Sequence, residues 1–188
     1  MALQATVYRF PVQLSHVDRG VYEQLDLRVG RHPSETERYL LTRIIAYCLL
    51  VDPNDKDVTL EFSKGGLSSP DEPALSVHTL DRRILCWVEI GNPTPERLHK
   101  ASKAAPRVVV VTQHDPALLV KDIASSKTKV HKADQIDVYA LDGKFLDAIA
   151  KHIGDRGCAL ELTVTDGELY VTAGGETLQS TLTKVALA

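Results

Sequence analysis

From Ala5 to Leu14 apolar and polar residues alternate, with Val7, Phe10 and Val12 among polar neighbours, and they alternate again from Val21 to Val29 through Tyr22, Leu25, Leu27 and Val29. A period of two belongs to a strand with one buried face. The runs flank Ser15-His16-Val17-Asp18-Arg19-Gly20, which reads as a turn, so the chain opens with an antiparallel hairpin. The period then lengthens. Leu40, Leu41, Ile44, Ile45, Cys48 and Leu49 recur at helical spacing, helix-start signals fill Arg31 to Glu37, and Asp52-Pro53 stops the pattern. A buried helix from Ser34 to Leu50 is expected.

Val58 to Phe62 reads as a short strand, and Ser63 to Pro70 as a loop whose Gly65-Gly66 lacks the spacing of a phosphate-binding motif. A hairpin from Leu75 to Ile90 turns around Leu80-Asp81-Arg82, and Ile84 to Ile90 is nearly all apolar, as suits a strand covered on both faces. Gly91 ends that strand, Asn92-Pro93 turns the chain, and Thr94 caps a helix beginning at Pro95 with Glu96 in its first turn. Four consecutive valines make Arg107 to Thr112 a central strand. A helix from Asp115-Pro116, a strand from Gln135 to Leu141 and a helix led by Asp142-Gly143 follow. Cys158 to Leu187 then returns to β signals, with turns at Asp166-Gly167 and Gly174-Gly175 and a last strand from Thr177 to Leu187. The fold class expected is mixed α/β (α+β): one central mixed sheet flanked by helices, with an added N-terminal hairpin and a C-terminal β-meander. The 188 residues, without repeats or a linker-like break, read as one domain spanning 1-188.

Charge narrows the partners. With 22 basic and 25 acidic side chains the formal net charge is −3, so no global positive field attracts nucleic acid and any polyanion contact is local. The most basic surface segment is Ser125 to His131, with Lys121, Lys127, Lys129, His131 and Lys132 close together, and it lacks the interleaved aromatics that stack bases. It is either a phosphate contact or a solvated loop. Cys48, Cys86 and Cys158 lie far apart within apolar segments and read as buried free thiols of a reducing compartment. No apolar run reaches membrane-spanning length and the N-terminus has no signal-peptide core, so a cytoplasmic protein without membrane contact is expected.

One stretch carries candidate chemistry. Glu89 interrupts the apolar run of its strand, where an unpaired carboxylate is costly, so it must meet a cation, a metal or a group of donors. Asp71 and Glu72 form a second acidic pair in a proline-flanked turn, and the hairpin pairing brings that turn near the Glu89 end. Two readings stand. The acids hold a divalent cation through oxygen ligands with a lysine nearby, or Asp71 and Glu72 are turn formers and Glu89 is neutralised by an arginine or lysine. The helix start has the same ambiguity. Either Glu35 joins the carboxylate site or His32 contacts a phosphate, or Ser34 caps the helix, Glu37 closes a capping box, and the other polar residues are solvated.

The start MALQATVY, the segment RHPSET, the acidic DEP turn, the strand WVEIG with its NP turn and the helix ERLHKASKAA together resemble the YaeQ family over essentially the whole chain. That resemblance implies a variant of the PD-(D/E)XK nuclease fold, whose helix, three strands, helix and strand match the order read from Ser34 to Thr112. By the same analogy Asp71 takes the motif aspartate and Glu89 the (D/E) position, both as Mg²⁺ ligands, with Glu35 as an accessory carboxylate. The motif lysine is replaced by Gly91, and a cation from the next helix is expected in its stead: Lys100 first, Arg97 as the alternative. Two functions follow: Mg²⁺-dependent phosphodiester hydrolysis of nucleic acid, or a catalytically inactive nuclease-fold protein with a regulatory or binding role.

Overall fold

The computed structural model describes residues 5–63 and 72–187, so Asp71 lies outside the described residues. Among the described residues, eleven strands form two sheets where one was expected. The opening hairpin pairs β1 (Thr6–His16) with β2 (Val21–Arg31), joined through a 3-10 turn at Val17–Arg19 and by Gly20 in the left-handed region. The closing meander supplies β8 (Leu160–Thr165), β9 (Glu168–Ala173) and β10 (Glu176–Thr181). These two parts of the chain are one sheet, because β1 runs parallel to β8 with Val12 opposite Leu160 and His16 opposite Val164. The order is β10-β9-β8-β1-β2.

The second sheet holds β3 (Val58–Phe62), β4 (Leu75–Thr79), β5 (Ile84–Ile90), β6 (Arg107–Thr112), β7 (Asp137–Ala140) and β11 (Thr183–Val185), in the order β11-β7-β6-β5-β4-β3. β5, β6 and β7 are parallel to one another and central, while β3, β4 and β11 are antiparallel to their neighbours. The expected last strand from Thr177 to Leu187 is therefore two: β10 ends at Thr181, and after Leu182 the chain crosses to the edge of the other sheet. Leu182 packs against the main core at that crossing.

Among the described residues, four helices complete the layers. α1 (Glu37–Leu50) is buried on nearly all sides, from Leu40 through Leu49, as a helix wedged between two sheets must be. With α4 (Gly143–Ala150) it shares the main core with the first sheet and with one face of the second, through Cys86, Val88, Ile90, Val109 and Val111. α2 (Pro95–Ala104) and α3 (Pro116–Ser125) cover the opposite face, where Trp87, Val108, Val110 and Val138 meet Leu98, Ala101 and Leu119. The valine run of β6 is thus buried on both faces, as its composition requires. No helix among the described residues is long and apolar enough to cross a membrane.

Local chemistry sets the helix starts. Thr94, Asp115 and Asp142 cap α2, α3 and α4, each side chain accepting a first-turn N–H. α1 starts later than expected: Thr36, and not Ser34, is its cap, with Oγ1 accepting from Tyr39 N at 3.2 Å. The preceding residues are held in a turn of their own, in which Ser34 N donates to His32 Nδ1 at 3.1 Å and His32 N donates to the Glu35 carboxylate at 3.0 Å.

Candidate functional site

Alternation along β5 decides where Glu89 points. Cys86, Val88 and Ile90 face α1, so Trp87 and Glu89 face α2 and α3. Glu89 is only 2 % exposed. Its Oε1 accepts from the Trp87 indole Nε1 at 2.5 Å and from Arg97 Nε at 2.7 Å. Arg97 also donates through Nη2 to the Glu72 carbonyl at 2.7 Å, which ties the acidic turn to this end of β5. The placement of Arg97 follows from the helix start, since Thr94 caps α2 by accepting from Arg97 N at 3.3 Å and Leu98 and Ala101 turn towards the sheet.

Burial pushes the Glu89 carboxyl above the ordinary carboxylate value; the hydrogen bonds from Arg97 and Trp87 oppose the rise without cancelling it. Both donors converge on one oxygen in a nearly dry setting. A cation, Arg97, thus already faces this carboxylate.

Gly91 explains why no lysine stands two residues on. Its φ is +86°, in the region that favours glycine, and its N donates to Val111 O at 2.9 Å. Any side chain there would be strained. Of the two cations expected from α2, Arg97 is the one seen on Glu89.

Glu35 is 3 % exposed, and its partners place it on the other face of the sheet. Its Oε1 accepts from Arg43 Nη1 of α1 at 2.7 Å, and Arg43, 1 % exposed, also donates to Gly30 O at 3.0 Å and lies over the Phe62 ring. Glu35 and Glu89 are thus on opposite sides of the second sheet, and the structure does not bring them together. Among the described residues, no three His, Cys, Asp or Glu side chains converge as a metal site. The basic segment lies against α2: His99 Nδ1 is 2.8 Å from Lys129 O, and Thr128 Oγ1 donates to Glu96 at 2.9 Å.

Sequence reasoning missed Trp87 as the donor beside Glu89, although the signal was present: residues two apart on a strand share a face. It also missed Arg43, a cation within the apolar pattern of α1 that could only be buried against an acid.

The model of the family described as YaeQ protein matches residues 1–182. The chain is 28% identical over 183 residues to YaeQ of Escherichia coli (strain K12) and, to the same extent, to YaeQ of Salmonella typhi, covering 97% of this chain and of each relative. Its fold is similar to the crystal structure of YaeQ from Pseudomonas syringae, with a TM-score of 0.83 and 28% identity over 96% of both chains. The Xanthomonas axonopodis pv. citri YaeQ structure gives a TM-score of 0.79 at 29% identity over 96% of both chains. On this match, which runs from the opening hairpin through the closing meander, the chain belongs to the YaeQ family.

Proposed function

We propose that this chain is a catalytically inactive protein on a PD-(D/E)XK nuclease-like scaffold, with a binding or regulatory role. The order α1, β3, β4, β5, α2, β6 supports the scaffold. The observation that carries the silent reading is Glu89 itself. The acid in the (D/E) position is buried and engaged by Arg97 and Trp87, and the lysine position is a left-handed glycine. Glu89 and Glu35, two of the three proposed Mg²⁺ ligands, are both engaged by protein donors, Glu89 by Arg97 and Trp87 and Glu35 by Arg43.

A second reading, Mg²⁺-dependent cleavage of nucleic acid, is favoured by one contact. Arg97 spans Glu89 and the carbonyl of Glu72, so the acidic turn does approach the (D/E) strand. A nuclease assay separates the two. Purified protein is incubated with single- and double-stranded DNA and RNA in Mg²⁺ or Mn²⁺, beside a folded Glu89→Gln variant. The silent reading expects no dication-dependent product. Product formed by the native chain and lost in Glu89→Gln overturns it.

A further inference from the structure

α1 holds the two sheets apart, and it stops at Leu50 while β1 continues to His16 and β6 begins at Arg107. Past the helix end the gap between sheets is a cavity of about 330 Å³, within the roughly 300–1,000 Å³ range of small-molecule sites. Its inner wall is apolar, formed by Leu49, Val109, Val111, Val164 and Leu182. One polar side chain stands out against it. His16 is 7 % exposed and lines the cavity, and its Nδ1 is buried with no hydrogen-bond partner. A buried ring nitrogen of this kind calls for a hydrogen-bonding partner.

Two arginines stand at the mouth. Arg19 and Arg107 line this cavity and also an adjoining hollow that opens beside Asp52 and Asp55. The nearby carboxylates are engaged already. Asp18 accepts from Asp166 N at 2.8 Å, Asp52 accepts from Asn54 N at 3.1 Å and pairs with Arg19 at 3.4 Å, and Asp137 is shared between Arg107 at 3.2 Å and Lys184 at 2.8 Å. Arg107 and Lys184 share the single acid Asp137, which leaves Arg107 incompletely neutralised, while Asp18 remains a carboxylate beside Arg19.

We propose that this inter-sheet cavity binds a small amphiphilic monoanion, its apolar body against the valines of β6 and β8, its anionic head at Arg107 and Arg19, with His16 Nδ1 supplying a further hydrogen bond. The inference goes beyond the reading of Glu89 and stands whether or not that acid is silent, because the cavity lies on the α1 side of the second sheet and shares no residue with Glu89. The His16 ring is neutral at physiological pH, since burial, and next Arg19, push its pKa down. The charge for the anion therefore comes from the arginines.

The test is a carbon-13 methyl NMR titration of the full chain with octanoate, and with octanol and octylammonium as neutral and cationic controls. Saturable shifts are expected at the methyls of Leu49, Val109, Val111 and Val164. Octanoate should bind roughly tenfold or more tightly than octanol, and roughly tenfold more weakly to Arg107→Gln, the factor for one charge-assisted hydrogen bond. His16→Phe, which keeps the ring shape without either nitrogen, should weaken octanoate while leaving the spectrum folded. Absence of saturable shifts at these methyls, equal affinity for octylammonium, or undiminished affinity in both variants would overturn the proposal.

Discussion

Replacing Arg97 by methionine tests the Glu89 site through stability. Arg97 is 18% exposed along its side chain and Glu89 3%, so the pair is desolvated on the carboxylate side. Removing one partner of a buried pair typically costs about 3–5 kcal/mol, because the other is left charged and uncompensated. Partial exposure of Arg97 and the remaining Trp87 donor put the expectation at the lower end, about 3 kcal/mol near neutral pH. For a chain of this size that lowers the melting temperature by about 6–12 °C.

The pH dependence has a definite sign. Folded Glu89 holds its proton more tightly than it does in the unfolded chain. Its contribution to stability therefore falls as pH rises from the ordinary carboxylate value through its raised folded value. Loss of Arg97 raises the folded value further, so the variant's deficit is largest at about pH 8 and shrinks towards about pH 5. Urea unfolding of the native chain, Arg97→Met, Glu89→Gln and the double variant at both pH values measures this, with a coupling energy of about 2 kcal/mol expected at the higher pH. A cost below about 1 kcal/mol, a pH-independent deficit or strict additivity would refute the reasoning.

Other expectations follow from the same packing. Glu35→Ala leaves Arg43 buried and charged and should destabilise by about 3–5 kcal/mol in urea, whereas Glu35→Leu with Arg43→Met should recover most of that loss. Gly157→Ala should be among the most damaging single changes, at least about 3 kcal/mol, since φ is +116° and a Cβ would lie 2.0 Å from the Arg9 carbonyl oxygen. Thiol labelling of the native chain should reach half-buried Cys158 first, because burial pushes Cys48 up to about 12 and Cys86 up to about 11. All three should react together in urea, where ordinary thiol pKa values return.

The legible parts of the fold were those fixed by neighbours in sequence. The valine run gave β6 at Arg107–Thr112, Thr94-Pro95 gave the start of α2, and Asp166-Gly167 gave the turn between β8 and β9. What one chain segment does to another far away was not legible. The parallel pairing of β1 with β8 joins residues from opposite ends of the chain, and no local pattern encodes it. It turned one expected sheet into two, and made α1 an interior helix between them. The start of α1 was misplaced for a related reason, because the Glu35 carboxylate is committed to His32 N and Arg43 and holds the preceding turn outside the helix.

The candidate site was half legible. That Glu89 needed a partner followed from an acid in an apolar strand, and the two cations named from α2 included Arg97, which the structure places on it. The cap at Thr94 sets the helix rotation that aims Arg97 at the sheet. Glu35 was grouped with Glu89 by family analogy, and strand alternation with the Arg43 pairing separates them across the sheet. The free cysteines are as read, although Cys158 is only half-buried.

The central claim is that Glu89 is a neutralised acid of the protein interior, and Mn²⁺ soaked into crystals of the native chain tests it most directly. Anomalous difference maps should leave the Glu89 carboxylate without a peak and keep Arg97 Nε in hydrogen-bond contact with it. An anomalous peak on that carboxylate would contradict the account and return Glu89 to the role of a metal ligand.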